Sequence, residues 1–257
     1  MIDFERTFDN TAVGYDRSRP FYADELFRDI FRYHPIGPES HVLEIGMGTG
    51  KATLPFLETG CRLTGIEPGV HMAEVAKERC GRFETFSPVI QTLQEFEHPS
   101  ESFDLIFSAT AFHWIPEEYG YPKVFDLLKS GGAFARFAYH AGSDKGRPEL
   151  ANEIQTHYAL CMKGTKAPKE FSMEDAQRIA LLADKYGFAD IRCSLYHTTK
   201  DFTADEYMEL LRTYPDHMAL EAEKREKLFS GIHAAIQKHG GIITVYYTMD
   251  LELARKP

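Results

Sequence analysis

The segment Val42–Glu67 constrains the fold more than any other stretch of the chain. An apolar run, Val42–Ile45, leads into Gly46, Gly48 and Gly50. A helix-compatible run from Lys51 to about Thr59 follows, and then a second strand-like run from Arg62 that ends on Glu67. Glycines are needed where a chain turns tightly from strand to helix while its backbone approaches a ligand. The following helix presents free N–H groups at its start, and such a site holds a phosphate or a carboxylate. Glu67 lies 17 residues past Gly50, where a carboxylate is placed to accept both hydroxyls of a ribose. The unit reads as a site for an adenosine-type cofactor. The alternative is a structural turn beside a surface glutamate.

Two details narrow the cofactor. The dinucleotide fingerprint is G-x-G-x-x-G, and the spacing of Gly46, Gly48 and Gly50 is one residue short of it. Glu44 also stands inside the first strand. A negative group is unfavourable beside a pyrophosphate and favourable beside a cation. The reading therefore moves from NAD to S-adenosylmethionine, which carries a sulfonium and an ammonium. Lys51 follows the last glycine without the G-K-[ST] tail, which disfavours Walker-type ATP binding.

Strands and helices alternate on either side of this unit. A helix is expected from Pro20 to about Tyr33, with Pro20 in its first turn. After Glu67 come a helix Gly69–Cys80, a strand within Phe83–Ile90, a strand Asp104–Ser108, a helix Tyr121–Lys129 ended by Gly131 and Gly132, and a strand Ala133–Ala138. This rhythm implies a mostly parallel sheet with right-handed crossovers. Beyond Tyr139 it changes. A helix spans about Glu149–Met162, and the capping-box pattern Ser172–Asp175 opens another through Tyr186. A strand follows Gly187, then an amphipathic stretch Thr203–Tyr214, then a charged helix Glu221–His239. Ile242–Ala254 alternates as a half-covered strand.

The totals exclude several function classes. The formal net charge of −10 argues against a nucleic acid as the main substrate and does not favour an anionic membrane surface. No window approaches the roughly 18 apolar residues needed to cross a bilayer, so no membrane insertion is expected. The N-terminus has neither a basic start nor an apolar run, so no signal peptide is visible. Cys61, Cys80, Cys161 and Cys193 show no zinc spacing and read as reduced, mostly buried thiols. No metal is expected, and the expected location is cytoplasmic. Monomer and homodimer stay open.

Four motifs in order carry a family resemblance: VLEIGMGTG at Val42–Gly50, LTGIEPG at Leu63–Gly69, SFDLIFSA at Ser102–Ala109 followed by Phe112–Ile115, and LLKSGGAF at Leu127–Phe134. The chain resembles the seven-stranded class I S-adenosylmethionine-dependent methyltransferases, in the small-molecule branch related to the trans-aconitate and ubiquinone/menaquinone methyltransferases. The resemblance covers residues 40–140 well. It implies a doubly wound, mostly parallel seven-stranded α/β sheet, with the last strand antiparallel and a helical cap. Residues 1–34 would form an arm and helix, 35–140 the cofactor core, 141–170 and 203–238 the cap, and 187–200 and 241–255 the last strands of a single domain.

The resemblance also implies roles. Gly46 and Gly48 would pass the methionine part of the cofactor, and Glu67 would hold the ribose. Pro68 and Met72 would flank the adenine, with Thr92 and Leu93 on its other side. A carboxylate frequent in the family at position 92 is missing here. Ser108 and Ala109 would end the fourth strand beside the transferred methyl. Tyr15 and Arg19 resemble an arm that closes over the cofactor, where Arg19 could meet its carboxylate.

Methyl transfer from a sulfonium needs mainly positioning and water exclusion. A base is needed only if the acceptor must lose a proton. His113, just past the fourth strand, is the candidate base; alternatively it shapes the pocket beside Trp114. Phe112 and Trp114 could wall an apolar acceptor pocket or belong to the core. Tyr139 and His140 could line the same mouth or form a hinge. The expected function is methyl transfer to an O, N or C atom of a small molecule. Alternatives are a cofactor-binding protein without transfer, one that uses a modified cofactor, or a nucleic-acid methyltransferase. The last would typically carry an N-P-P-Y type sequence where this chain has Ser108–Ala111 (SATA).

Overall fold

The computed structural model describes residues 20–257, positions 163 and 166 excepted. Seven strands form one sheet in the order β3-β2-β1-β4-β5-β7-β6. They are β1 His41–Ile45, β2 Arg62–Ile66, β3 Phe86–Val89, β4 Phe103–Ala109, β5 Leu128–Gly142, β6 Ala189–Thr203 and β7 Ile242–Arg255. β3 to β2, β2 to β1, β1 to β4 and β4 to β5 are parallel pairs. The chain winds outward in both directions from β1 and β4. Ligands of such sheets bind at that switch point, beyond the carboxyl ends of the strands.

β7 runs against β5. Near the start of β5, Gly131 N–H donates to the Lys256 carbonyl and Lys256 N–H donates to Gly132, both at 2.9 Å. At its far end Gly142 faces Tyr246. The last strand is thus antiparallel, as the resemblance implies.

The helices are α1 Asp24–Tyr33, α2 Thr53–Leu57, α3 Val70–Cys80, α4 Glu117–Leu127, α5 Pro148–Cys161, α6 Met173–Ala180, α7 Ala204–Leu211, α8 Pro215–Met218 and α9 Ala222–Lys238. Contacts divide the chain into two compact units. One comprises Phe21–Tyr139, Phe171–Tyr196 and Met249–Pro257; the other includes His140–Glu170 and His197–Thr248. In the first unit, Leu26, Phe27 and Ile30 of α1 pack with Phe56, Phe107, Phe137 and Leu251 on one face of the sheet. Phe112, Tyr121, Val124, Phe134 and Ala254 pack on the other. In the second unit α9 lies close on α5, because a Cβ at Gly231 would sit 2.3 Å from His157 Nδ1. There His217 Nδ1 bonds Asp216 at 2.8 Å and Nε2 bonds the Tyr158 hydroxyl at 2.9 Å. Among the described residues no helix is long and apolar enough to cross a membrane.

Several element boundaries differ from expectation. α1 starts at Asp24, not at Pro20, because Ala23 is extended and Asp24 and Glu25 supply the negative first turn that a helix N-terminus favours. α2 is shorter than Lys51–Thr59. α4 begins at Glu117 after Pro116 and tolerates Pro122 inside it. Gly131 and Gly132 do not end that helix. They lie within β5, where two residues face one on β7, the pattern of a bulge. The Ser172–Asp175 capping box forms as expected, but α6 stops at Ala180 and a separate 3-10 turn, Ala183–Tyr186, completes the segment. The alternation of β7 stops at Tyr247. From there to Ala254 both faces are buried, because β7 lies inside the sheet between β5 and β6.

Candidate active site

The glycine loop starts where β1 ends. Gly46 and Met47 N–H groups donate to the Ile66 carbonyl at 2.9 and 3.1 Å, which ties the loop to the end of β2. Arg79 of α3 donates to the Thr49 carbonyl at 2.7 Å. Gly46 has φ +73°, and a Cβ there would come 2.4 Å from the Ala111 Cβ. Gly48 has φ +52°, and a Cβ there would meet nothing within 4 Å. One glycine is required by the fold behind it, and the other opens onto free space. Gly50 packs on α3 against Cys80 and Ala76.

Glu67 holds this geometry together. Its Oε2 accepts from Gly48 N–H at 3.0 Å and its Oε1 from Gly69 N–H at 2.9 Å.

Glu44 is fully buried. Thr53 Oγ1 donates to its Oε2 at 2.6 Å, while Oε1 has no hydrogen-bond partner among the described residues. Burial pushes its carboxyl up to about 8, the Thr53 hydrogen bond opposes this, and the charge of Glu67 adds to it. A buried lone carboxylate oxygen of this kind fits a cationic or N–H ligand group.

A linkage follows. The folded state keeps a proton on Glu44 that the unfolded chain releases near 4.5. The associated stability is full below that value and is lost as pH rises to about 8. Thermal melts from pH 5 to 9 should show the wild type losing more stability than Glu44→Gln as pH rises. Parallel curves would mean that the carboxyl is already ionised.

Around the loop, Pro68 is half-buried and Met72 buried. The Thr92 N–H and hydroxyl both donate to Glu95 Oε2 at 3.0 Å, and the Leu93 side chain lies in the core with Ile45 and Ile66. These side chains shape the wall, and Thr92 has spent its hydroxyl proton on Glu95. Tyr15 and Arg19 lie outside the described residues.

At the end of β4 the Ser108 hydroxyl donates to the Ile45 carbonyl at 2.8 Å and so braces β4 against β1. Ala109 is half-buried. Thr110 has φ +55°, a left-handed conformation uncommon for a β-branched residue. Its N–H donates to Phe137 at 2.7 Å and its hydroxyl pairs with the Tyr22 hydroxyl at 2.7 Å. Strain of this kind collects at functional sites.

The next turn places Phe112 in the core, the second of its two readings. It is buried, with its ring 4.9 Å from Phe134 and 5.2 Å from Tyr121. Anchoring that ring leaves His113 and Trp114 exposed, with ring centroids 4.9 Å apart. Tyr139 is half-buried beside Tyr22, ring centroids 6.0 Å apart. His140 belongs to the other unit.

Thr53, Arg79, Tyr22 and Thr110 were not singled out from sequence. Their roles rest on long-range contacts or on a backbone angle, and no local pattern announces either.

Comparison with known proteins places this geometry. The family described as "Methyltransferase domain" matches residues 42–132. An uncharacterized methyltransferase of Anoxybacillus flavithermus is 34% identical over 178 residues, covering 61% of this chain and 82% of that protein. An uncharacterized methyltransferase of Schizosaccharomyces pombe is 21% identical over 233 residues, 90% of this chain and 88% of that one. Among solved structures, phosphoethanolamine N-methyltransferase 2 of Haemonchus contortus, in complex with S-adenosyl-L-methionine, matches with a TM-score of 0.56 at 19% identity. That match covers 99% of this chain and 59% of the other.

Proposed function

We propose that this chain, which belongs to the class I S-adenosylmethionine-dependent methyltransferases, delivers the methyl group to a small-molecule acceptor at the carboxyl ends of β4 and β5. The observation that carries the reading is the turn after β4, where strained Thr110 and anchored Phe112 present His113 and Trp114 outward beside the glycine loop. The net charge of −10 and the SATA sequence after β4 support a small acceptor over a nucleic acid.

The residues present fit the cofactor. Oε1 of Glu44 would face its ammonium, with the backbone of Gly46 and Gly48 alongside. Glu67 would take the ribose hydroxyls. Pro68 and Met72 would flank the adenine, with the backbone at Thr92 and Leu93 opposite. Ser108 and Ala109 would border the methyl. When bound, the cofactor supplies a methyl carbon activated by a positive sulfur. Tyr139 and Trp114 would orient the acceptor and exclude water. Glu44 would release its proton when a cation binds opposite it, so binding should strengthen as pH rises toward 8.

His113 would accept the proton that an N–H or O–H acceptor must lose, because an imidazole exchanges a proton near neutrality. His113→Ala should lower kcat about 100-fold and remove the acidic limb of the pH–rate profile, with the S-adenosylmethionine Kd unchanged. A loss below about tenfold with an unchanged profile would reduce His113 to a wall of the pocket. The first experiment is titration calorimetry with S-adenosylmethionine, followed by a methyl-transfer screen over small amines, alcohols and carboxylates. Transfer to a macromolecule alone would overturn the small-acceptor reading.

A further inference from the structure

The chain leaves β4 through a residue ill suited to the turn it makes. Thr110 N–H continues the β4–β5 pairing by donating to the Phe137 carbonyl at 2.7 Å, and the backbone then turns at φ +55°. Glycine adopts such an angle without steric cost, whereas a β-branched residue is an outlier there. The adjacent glycine loop follows that rule, with Gly46, Gly48 and Gly50 at φ +73°, +52° and +78°. A glycine at position 110 would make the same turn without strain, but it would lack the hydroxyl. That hydroxyl pairs with the Tyr22 hydroxyl at 2.7 Å, across 88 positions of sequence.

Tyr22 is held in place on several sides. It lies two residues before α1, and at the next residue Ala23 N–H donates to Met249 Sδ at 3.4 Å. Its ring stands edge-on to Phe137 of β5, with centroids 4.9 Å apart at 89°. Phe27 of α1 and Tyr139 of β5 lie 6.3 and 6.0 Å away. These rings fix the phenol, so its hydroxyl meets Thr110 from a set position.

The turn beyond Thr110 is stiff. Ala111 lies against Gly46, where an added Cβ would come 2.4 Å from the Ala111 Cβ. Trp114 N–H donates to the Ala111 carbonyl at 3.0 Å and Ile115 N–H to the Phe112 carbonyl at 3.1 Å. A change of angle at Thr110 therefore moves His113 and Trp114 together. The strain of a left-handed residue and the worth of one hydrogen bond are of the same order. Losing the bond is enough to let the angle relax.

We propose that Tyr22 is a positioning residue for methyl transfer, whose hydroxyl holds Thr110 left-handed and so holds His113 toward the acceptor. This rests on the reading of His113 and the β4 turn given above. Its action passes through Thr110.

The turn carries its own reporter, because Trp114 is the single tryptophan of the chain. Tyr22→Phe removes one oxygen and keeps the ring. In the full chain it should raise the quenching of Trp114 fluorescence by acrylamide, as the untethered turn opens to solvent. Thr110→Val should do the same, and the double variant no more than either. Thr110→Ser keeps the hydroxyl and should resemble the wild type. In turnover, Tyr22→Phe should lower kcat about tenfold or more, the cost of a misplaced group, with the S-adenosylhomocysteine Kd unchanged. In a His113→Ala background the same change should cost less than about twofold, since the two act as a unit. Wild-type quenching in Tyr22→Phe would overturn the proposal. So would a kcat loss that persists undiminished in His113→Ala, a loss that falls on the S-adenosylhomocysteine Kd instead, or Thr110→Ser behaving like Thr110→Val. If Tyr22→Phe does not fold, Thr110→Val against Thr110→Ser gives the same decision. If His113→Ala alone leaves methyl transfer intact, the base reading falls, and the quenching still decides whether Tyr22 holds the turn.

Discussion

Glu67→Ala weakens S-adenosylmethionine binding by roughly 10- to 150-fold, the equivalent of about 1.5–3 kcal/mol for lost hydrogen bonds to a charged group. Two losses combine. The ribose would lose the acceptor proposed for it, and the N–H groups of Gly48 and Gly69 lose theirs. The second loss acts before any ligand arrives, since the carboxylate joins the tip of the glycine loop to the start of α3. The variant should therefore also melt lower, by about 1–2 kcal/mol of stability for two partly buried donors left unpaired. Glu67→Gln separates the two losses. It keeps an acceptor but turns an N–H toward a donor, so it should rescue melting more than binding. An unchanged Kd in Glu67→Ala by calorimetry would remove Glu67 from the ribose site.

The architecture was legible wherever local pattern and sheet position agree. β1 and β4 are short, mostly apolar runs buried on both faces, bounded by glycine or polar turns, and periodicity finds such runs. The capping box at Ser172 is a local device, and it formed where the residues placed it. The alternation of β7 reads as half-covered for the opposite reason. Thr248, Asp250 and Glu252 look like a solvent face, yet all three are buried, because the strand inserts between β5 and β6. Strand order is a property of the assembled sheet, and alternation cannot report it. Gly131 and Gly132 misled similarly. A glycine pair after a helical run ordinarily ends a helix, and here the long-range pairing with Lys256 turned it into a bulge.

The site was legible in its backbone and less so in its side chains. The glycines, Glu44 and Glu67 follow from one stretch of sequence, because the loop, the strand end and the helix start are contiguous. The partner of Glu44 is Thr53, whose hydroxyl faces a carboxylate only once α2 has folded back. Phe112 and Trp114 are two residues apart and equally apolar, yet one anchors in the core and the other is exposed. The 3-10 turn sorts them, with Gly120 leaving room for the Phe112 ring, whose Cζ would sit 2.9 Å from a Cβ there. Thr110 carries no signal in its identity. Its left-handed angle is imposed by the bonds to Phe137 and Tyr22.

Gly46→Ala and Gly48→Ala should separate what the fold needs from what the ligand needs. Both positions have positive φ, so each alanine meets a left-handed penalty of roughly 1–2 kcal/mol. At Gly46 the new methyl also overlaps Ala111 at 2.4 Å, and forcing that contact adds about 1–3 kcal/mol. The displaced segment is the one that sets Thr110 and His113, so Gly46→Ala should lose several kcal/mol of stability and most of its methyl transfer together. At Gly48 the methyl meets no protein atom within 4 Å. It projects into the space assigned to the cofactor. Gly48→Ala should therefore melt only slightly lower, yet bind S-adenosylmethionine at least about tenfold more weakly, because a buried contact surface has no room for an added methyl. Melting curves and calorimetry on the two variants give the comparison. If Gly48→Ala binds like the wild type while Gly46→Ala fails only by unfolding, the loop serves the fold alone and the cofactor lies elsewhere.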